Sequence, residues 1–368
     1  MRYLTRSFVY GLAFCLLGLS SRSALVADDK DGRLDLYFID VEGGAATLFV
    51  TPAGESLLID SGYPDNGGRD LNRILTVLRD VAGRQHLDHA VVSHWHLDHF
   101  GNHAALANKI SVRNFWDRGL PDTLPEDPKF PDRAAAYRAA CQNKSQTLKV
   151  GDLIPLKSGQ TQLTLKTVTA SGDVLPNAGD VNPFADQHQP QPDDPTDNAQ
   201  SLSLLLSFGS FRFLTCGDLT WNVEARLVTP RNPVGKVDLF MVTHHGLGGD
   251  QGGTRISNNP AFVWAIDPVV TVMCNGPEKG GDLETQRTLR KSKSIQAMFQ
   301  LHRNVRLTDA EQTAPEFIAN AGTTADCQGV YVKASIAPDG KSYTVQIGPQ
   351  GKVHKFATRS DTKKSADQ

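Results

Sequence analysis

Seven residues constrain this chain more than any others: Ser93-His94-Trp95-His96-Leu97-Asp98-His99, which follow the apolar run Ala90-Val91-Val92 without a break. A short run of that kind reads as a buried strand. Alternation along an extended segment puts His94 and His96 on one side, so both reach the same ion. Asp98 and His99 then turn the chain and can face a second ion beside the first. Imidazole nitrogen and carboxylate oxygen are ordinary ligands for zinc and similar divalent ions. A lone histidine is usually a surface or core residue. Three of them with an aspartate, packed into six residues at a strand end, point to metal.

The rest of the chain supplies layers around such a strand. Residues 34–39, 46–51 and 56–59 read as strands, with a turn at Pro52-Ala53-Gly54. Residues 69–81 read as a helix with Leu71, Ile74, Leu75 and Leu78 on one face. A second strand-rich half follows. Residues 163–168 form a strand, and 201–208 and 211–216 flank the hairpin turn Gly209-Ser210. Residues 133–141, 221–228 and 283–291 read as helices. Strands at 237–242 and 269–274 end in His244-His245-Gly246 and Asn275-Gly276, and strands at 328–336 and 342–347 close the domain. Strands, helix, then a strand running into a polar cluster occur in both halves, which indicates layered α/β structure. The Pro- and Asp-rich stretches 121–131 and 171–198 read as surface loops.

The first 27 residues read as a secretory signal peptide. Arg2 and Arg6 precede an apolar run over 8–19, and Ala24-Leu25-Val26-Ala27 ends in Asp28-Asp29. The apolar run is short for a membrane span. The expectation is a periplasmic or secreted protein with no stable membrane insertion after cleavage, its domain at 28–355 and a disordered tail at 356–368. Cleavage removes three arginines (Arg2, Arg6 and Arg22) and no acid, which moves the formal charge from −2 to −5. That balance does not point to nucleic acid. Cys141, Cys216, Cys274 and Cys327 remain, with no C-x-x-C pair, which argues against a cysteine-only zinc site, and no disulfide pairing can be deduced.

The order H-x-H-x-D-H resembles the signature of the metallo-β-lactamase superfamily, and further matches run along nearly the whole mature chain. The resemblance implies an α/β fold, a four-layer αβ/βα sandwich with two metals at one edge between the halves. It implies His94, His96, Asp98 and His99 as ligands. Asp218, in Thr215-Cys216-Gly217-Asp218-Leu219, would bridge both ions. One carboxylate between two cations offsets their repulsion and sets them about 3.5–4 Å apart. Taken alone, Asp218 reads as a cap for the helix that follows. His244, in Val242-Thr243-His244-His245-Gly246, would complete the second ion. His245 would then be a general acid or a substrate contact, although the order of the two can be reversed. Asp60, in Ile59-Asp60-Ser61-Gly62, would orient the metal loop from behind. One departure stands out. Many relatives carry another histidine just before the strand at 201–208, where this chain has Asp197-Asn198. Either Asn198 takes its place, or His188 swings in, or one ion is held weakly.

Residues 39–47, Asn198-Ala199-Gln200-Ser201, Cys216-Gly217-Asp218-Leu219 and His244-His245-Gly246 together resemble the ComEC-type hydrolase branch, although Glu42-Gly43-Gly44 departs from the usual Gly-Gln-Gly-Asp. This implies hydrolysis of a phosphodiester at two divalent ions, zinc with manganese or iron as alternatives, because a bound zinc lowers the pKa of its water to about 7. Asp98 would bind the second ion and position the nucleophile. Lys279 and His302, at strand-end positions, are candidate substrate contacts. Arg287, Arg290, Lys291, Lys293, Arg303 and Arg306 either grip phosphates or line a solvated helix face. The rival readings are hydrolysis of an amide, ester or lactone, and an iron-binding redox enzyme of the same fold.

Overall fold

Every residue of the strand Leu34–Phe38 is buried, and its two faces go to different places. Leu34, Leu36 and Phe38 enter a core shared with Phe213, Leu239, Val270 and Phe299. Tyr37, with Ile39 just beyond, packs instead against Ile74, Val77 and Leu78. A strand buried on both faces needs a layer on each side, and the chain builds those layers twice. The structure is a computed structural model and describes residues 31–64, 66–249, 255–322 and 325–359.

The first sheet runs in the order His354–Ala357, Ser342–Ile347, Val332–Ile336, Leu34–Phe38, Thr47–Val50, Ser56–Ile59, His86–Val91, Ser111–Asp117 and Gln146–Thr147. The second runs Ile318–Asn320, Ala297–His302, Val270–Met273, Leu239–Met241, Phe211–Thr215, Ser203–Phe208, Leu163–Ala170 and Leu153–Ile154, with Asp173–Val174 paired to Leu163–Ala170. The inner faces meet around Phe38, Phe49 and Phe213, whose rings contact edge-on at 5.9 and 5.7 Å. Outside the second sheet lie the helices Trp221–Val228, Pro260–Ile266 and Leu283–Arg290, packed through Val223, Leu227, Phe262, Ile266 and Leu289. Outside the first lies Arg69–Thr76. This is the expected α/β sandwich, and the hairpin at Gly209-Ser210 pairs Phe208 with Phe211 as the turn requires.

Several boundaries differ from expectation. The helix expected over 69–81 stops at Thr76 and continues as a wider turn, Val77–Val81. The strand ahead of His94 begins at His86. The helix expected at 133–141 starts at Phe130, with Pro131 in its first turn, where a missing N–H costs nothing. The basic stretch 287–306 is not one helix face. The helix ends at Arg290, and Ala297–His302 is a strand sending Phe299 and Leu301 into the central core. Its arginines already have partners: Arg287 pairs with Glu284, Arg303 with Asp309 and Arg306 with Asp282. The last strand, His354–Ala357, crosses the expected domain end at 355. The signal-peptide assignment, and the tail beyond 359, fall outside the described residues. Among those described, all four cysteines are free and no helix is long and apolar enough to cross a membrane.

Candidate metal centre

The strand His86–Val91 delivers the 93–99 segment to one edge of the sandwich, between the sheets. His96, in extended conformation, opens the single helical turn Leu97–Phe100, so His94, Asp98 and His99 all point inward and are buried. Asp60 holds this loop from the neighbouring strand end. Its Oδ1 accepts from Ser93 N–H at 2.8 Å, and its Oδ2 accepts from Ser93 Oγ at 2.7 Å and from His99 Nδ1 at 2.8 Å. Asp197, fixed by Arg118, accepts from Trp95 N–H at 2.6 Å. The other half of the molecule closes over the loop, where Leu202 N–H donates to the Ser93 carbonyl, and within that half His244 N–H donates to the Gly217 carbonyl.

The hydrogen bonds behind each ring decide which nitrogen carries a proton. His99 Nδ1 faces the Asp60 carboxylate, so in the neutral ring it is Nε2 that presents the lone pair. His245 Nδ1 faces the Cys274 carbonyl at 3.2 Å, an acceptor, so its Nε2 presents a lone pair too. These two nitrogens meet at 3.1 Å. Asp98 Oδ2 lies 3.5 Å from the first and 3.2 Å from the second. Asp218 Oδ1 lies 3.1 Å from His99 Nε2, and its Oδ2 3.3 Å from His245 Nε2. Four acceptor-type groups therefore converge within 4.8 Å. Adjacent ligand atoms around a tetrahedral zinc, with bonds of about 2.0–2.1 Å, lie roughly 3.3–3.4 Å apart. The observed edges bracket that length, so Asp98, His99, Asp218 and His245 fit a four-coordinate divalent cation.

The electrostatics point the same way. Burial pushes the Asp98 carboxyl up, but His99 and Lys279 beside it hold it well below the usual carboxylate range. Burial likewise opposes ionisation of Asp218, and His244, His245 and His99 keep it ionised. Burial works against charge on His99, yet Asp218, Asp98 and Asp60 raise its pKa well above the ordinary imidazole value. Three buried carboxylates here demand positive charge, and a divalent cation answers that demand without setting two lone pairs against each other.

A second set of donors lies beside this cage. His94 Nδ1 contacts Ser93 Oγ at 3.1 Å, and that hydroxyl gives its own proton to Asp60. His94 Nε2 is thus left as a lone pair. It is buried, without a hydrogen-bond partner among the described residues, and 4.0 Å from Asp218 Oδ2. The His96 ring lies 4.8 Å from that of His94, and its Nε2 is 3.2 Å from Glu126 Oε1. His244 Nδ1 contacts Ser257 Oγ at 3.1 Å, its Nε2 lying 3.2 Å from Asp218 Oδ2. Both His244 and His245 adopt left-handed backbone, at φ 54°. For residues with a Cβ this costs about 1–2 kcal/mol each, and such strain is typically retained where side-chain placement matters.

Several sequence expectations are corrected by these positions. His245, not His244, completes the cage with Asp98 and His99, which reverses the first-choice order and removes His245 as a free general acid. Asp197 braces the loop, and the neighbouring Asn198 has its Oδ1 buried without a hydrogen-bond partner among the described residues. His188 does not swing in; it bonds Asn259 at 2.8 Å. His302 is fully buried and bonded to Asp40 Oδ1 at 2.7 Å, so it meets no substrate. Lys279 does reach the cage, where it pairs with Asp98 and lies 3.3 Å from Tyr63 Oη. Glu126, Tyr63, Asp197 and Ser257 were not anticipated. Of these only Asp197 carried a local signal, next to the matched Asn198.

A model of the metallo-beta-lactamase superfamily matches residues 39–252, more than half of the chain. No curated protein matches it. Among solved structures, the metallo-beta-lactamase fold protein YhfI from Bacillus subtilis superposes with a TM-score of 0.42 at 12% identity, over 73% of this chain and 95% of that one. Igni18, a metallo hydrolase from Ignicoccus hospitalis, gives 0.40 at 13% over 72% and 94%. CmlA, a diiron β-hydroxylase from Streptomyces venezuelae, gives 0.37 at 17% over 71% and 47%.

Proposed function

For a chain that belongs to the metallo-β-lactamase superfamily, we propose hydrolysis at a dinuclear, zinc-type centre, with a phosphodiester as substrate, by an exported enzyme. The observation that carries this reading is the convergence of lone pairs on one point. Asp60 and the Cys274 carbonyl take the Nδ1 protons of His99 and His245, so that with both rings neutral Asp98, His99, Asp218 and His245 turn four ligand atoms toward one another. Bound there, divalent ions supply an acidified water and an electrophile for the substrate oxygen.

The chain's own groups divide the remaining work. Asp218 presents oxygens toward both sets of histidines. Lys279, held by Asp98 and Tyr63, is placed to donate to charge that develops on a substrate oxygen. That cation, with the ComEC-type resemblance, favours a phosphodiester over a neutral amide or ester. The internally paired arginines of 287–306 leave a small phosphodiester a better fit than long nucleic acid. Export rests on the pattern of residues 1–27.

The test is a substrate panel on mature protein loaded with zinc or manganese. Bis(p-nitrophenyl) phosphate should be cleaved, with the activity lost to EDTA and lowered at least roughly a thousandfold in His99→Ala and Asp218→Ala. Loaded, folded protein that spares phosphodiesters but opens lactones, esters or amides would move the substrate assignment to that class. Iron-dependent dioxygen consumption, with no hydrolysis, would replace it altogether.

A further inference from the structure

Position 198 leaves one ligand missing on the His94–His96 side of the centre, and the structure offers a replacement from the opposite half of the molecule. Resting on the two-ion reading above, we propose that His244 ligates the first ion in place of the absent histidine, so that the adjacent histidines of the 243–246 turn serve different ions.

Proton placement supports this. Ser257 Oγ donates to the Leu219 carbonyl at 2.7 Å, so toward His244 Nδ1, at 3.1 Å, it can only accept. His244 Nε2 is therefore unprotonated, yet it sits 3.2 Å from Asp218 Oδ2, another acceptor. That spacing matches a ligand edge around a zinc ion, roughly 3.3–3.4 Å, and a cation held between them brings the neutral imidazole and the carboxylate together. Asp218 Oδ2 also lies 4.0 Å from His94 Nε2. The two rings of the turn come in from different directions, with centroids 6.1 Å apart and planes at 73°. Both rings meet Asp218 Oδ2, but His245 also meets Asp98 and His99, whereas His244 does not. Consecutive left-handed residues bring both rings to bear on one carboxylate.

The competing ligands fit less well. Glu126 approaches His96 at 3.2 Å, but the same oxygen already accepts from Asp197 N–H at 2.7 Å. Asn198 offers a neutral amide oxygen, a poorer zinc ligand than imidazole. His188 is spent on Asn259.

The experiment counts ions by mass spectrometry of desalted, zinc-loaded protein, with cobalt absorption as a second readout. Wild type should hold two ions per chain and His244→Ala one. Asn198→Ala and Glu126→Ala should keep two, and Asn198→His on the His244→Ala background should restore the second. Ser257→Ala keeps the imidazole but frees it, and should weaken one ion by about tenfold to a hundredfold while sparing the other; it serves if His244→Ala does not fold. Two ions in folded His244→Ala, or equal affinities in Ser257→Ala and wild type, overturn the assignment while leaving the dinuclear reading intact. A wild type that binds at most one ion overturns both.

Discussion

Lys279 places a half-buried ammonium group on Asp98, one of the four cage ligands. Burial disfavours that charge, but Asp98 and Asp218 raise its pKa above the ordinary lysine value, so it stays cationic across the working range. If its task is to meet charge on a substrate, Lys279→Met should lower kcat on bis(p-nitrophenyl) phosphate by about ten- to a thousandfold while metal content stays at the wild-type level. Loss of an ion instead would assign it to holding Asp98. At this scale the sequence was legible where ligands share one segment: His94, His96, Asp98 and His99 lie within six residues. Asp218 and the paired histidines were readable only through their flanking patterns, which could not choose between His244 and His245. That choice depends on the Cys274 carbonyl and Ser257, hydroxyl and carbonyl partners that carry no motif. Tyr63 was invisible for the same reason, since its contact with Lys279 spans 216 residues.

The elements matter chiefly through the turns that end them. Gly280, at φ +76°, lies so close to the 243–246 turn that a Cβ there would fall 2.1 Å from the His245 carbonyl oxygen. Gly281 N–H donates to that same carbonyl, so the 275–281 turn sets the height of His245. Gly280→Ala should therefore weaken metal binding at least about tenfold, by displacing a ligand rather than unfolding the domain. Gly151, at φ +95° with open space around it, is the control. Gly151→Ala should cost only about 1 kcal/mol and leave metal affinity alone. Isothermal titration with zinc beside thermal melts separates the two, and equal metal affinity in Gly280→Ala and wild type would discard the idea. Leu34–Phe38, Thr47–Val50, Ser56–Ile59 and the 201–216 hairpin were legible because alternation and turn chemistry are local, whereas Ser111–Asp117 of the same first sheet went unread. Ala297–His302 was obscured by the charged residues flanking it. The helix Pro260–Ile266 went unread although Asn259 and Pro260 are ordinary start signals, with the Asn259 side chain accepting from Ala261 N–H. Its seven residues are too few to show a period.

For the molecule as a whole, the centre is assembled from both halves, and one buried acid shows how closely its support is tied to overall stability. Glu224 lies fully buried on Trp221–Val228, accepting from Asn259 N–H at 2.8 Å and so fixing the segment that carries Ser257 behind His244. Its other oxygen has no hydrogen-bond partner among the described residues. Burial pushes its carboxyl from the ordinary 4.5 up to about 8. The folded state thus holds a proton that the unfolded state has released, and between those values folding takes up protons. Stability from this group is complete below about pH 4.5, drains away as pH climbs, and is gone above about pH 8, a loss of at most several kcal/mol. Glu224→Gln keeps the shape and cannot ionise, so it should flatten that part of the slope. Urea unfolding in EDTA from about pH 5 to 8 keeps metal out of the comparison, and parallel curves for the two proteins would show that Glu224 does not carry the proton. Above pH 8 the wild-type acid must ionise or open its surroundings, and the loosened partner is the Asn259 segment. The same pH rise that destabilises the fold should therefore relax the Ser257 contact with His244 in the wild type and spare it in Glu224→Gln.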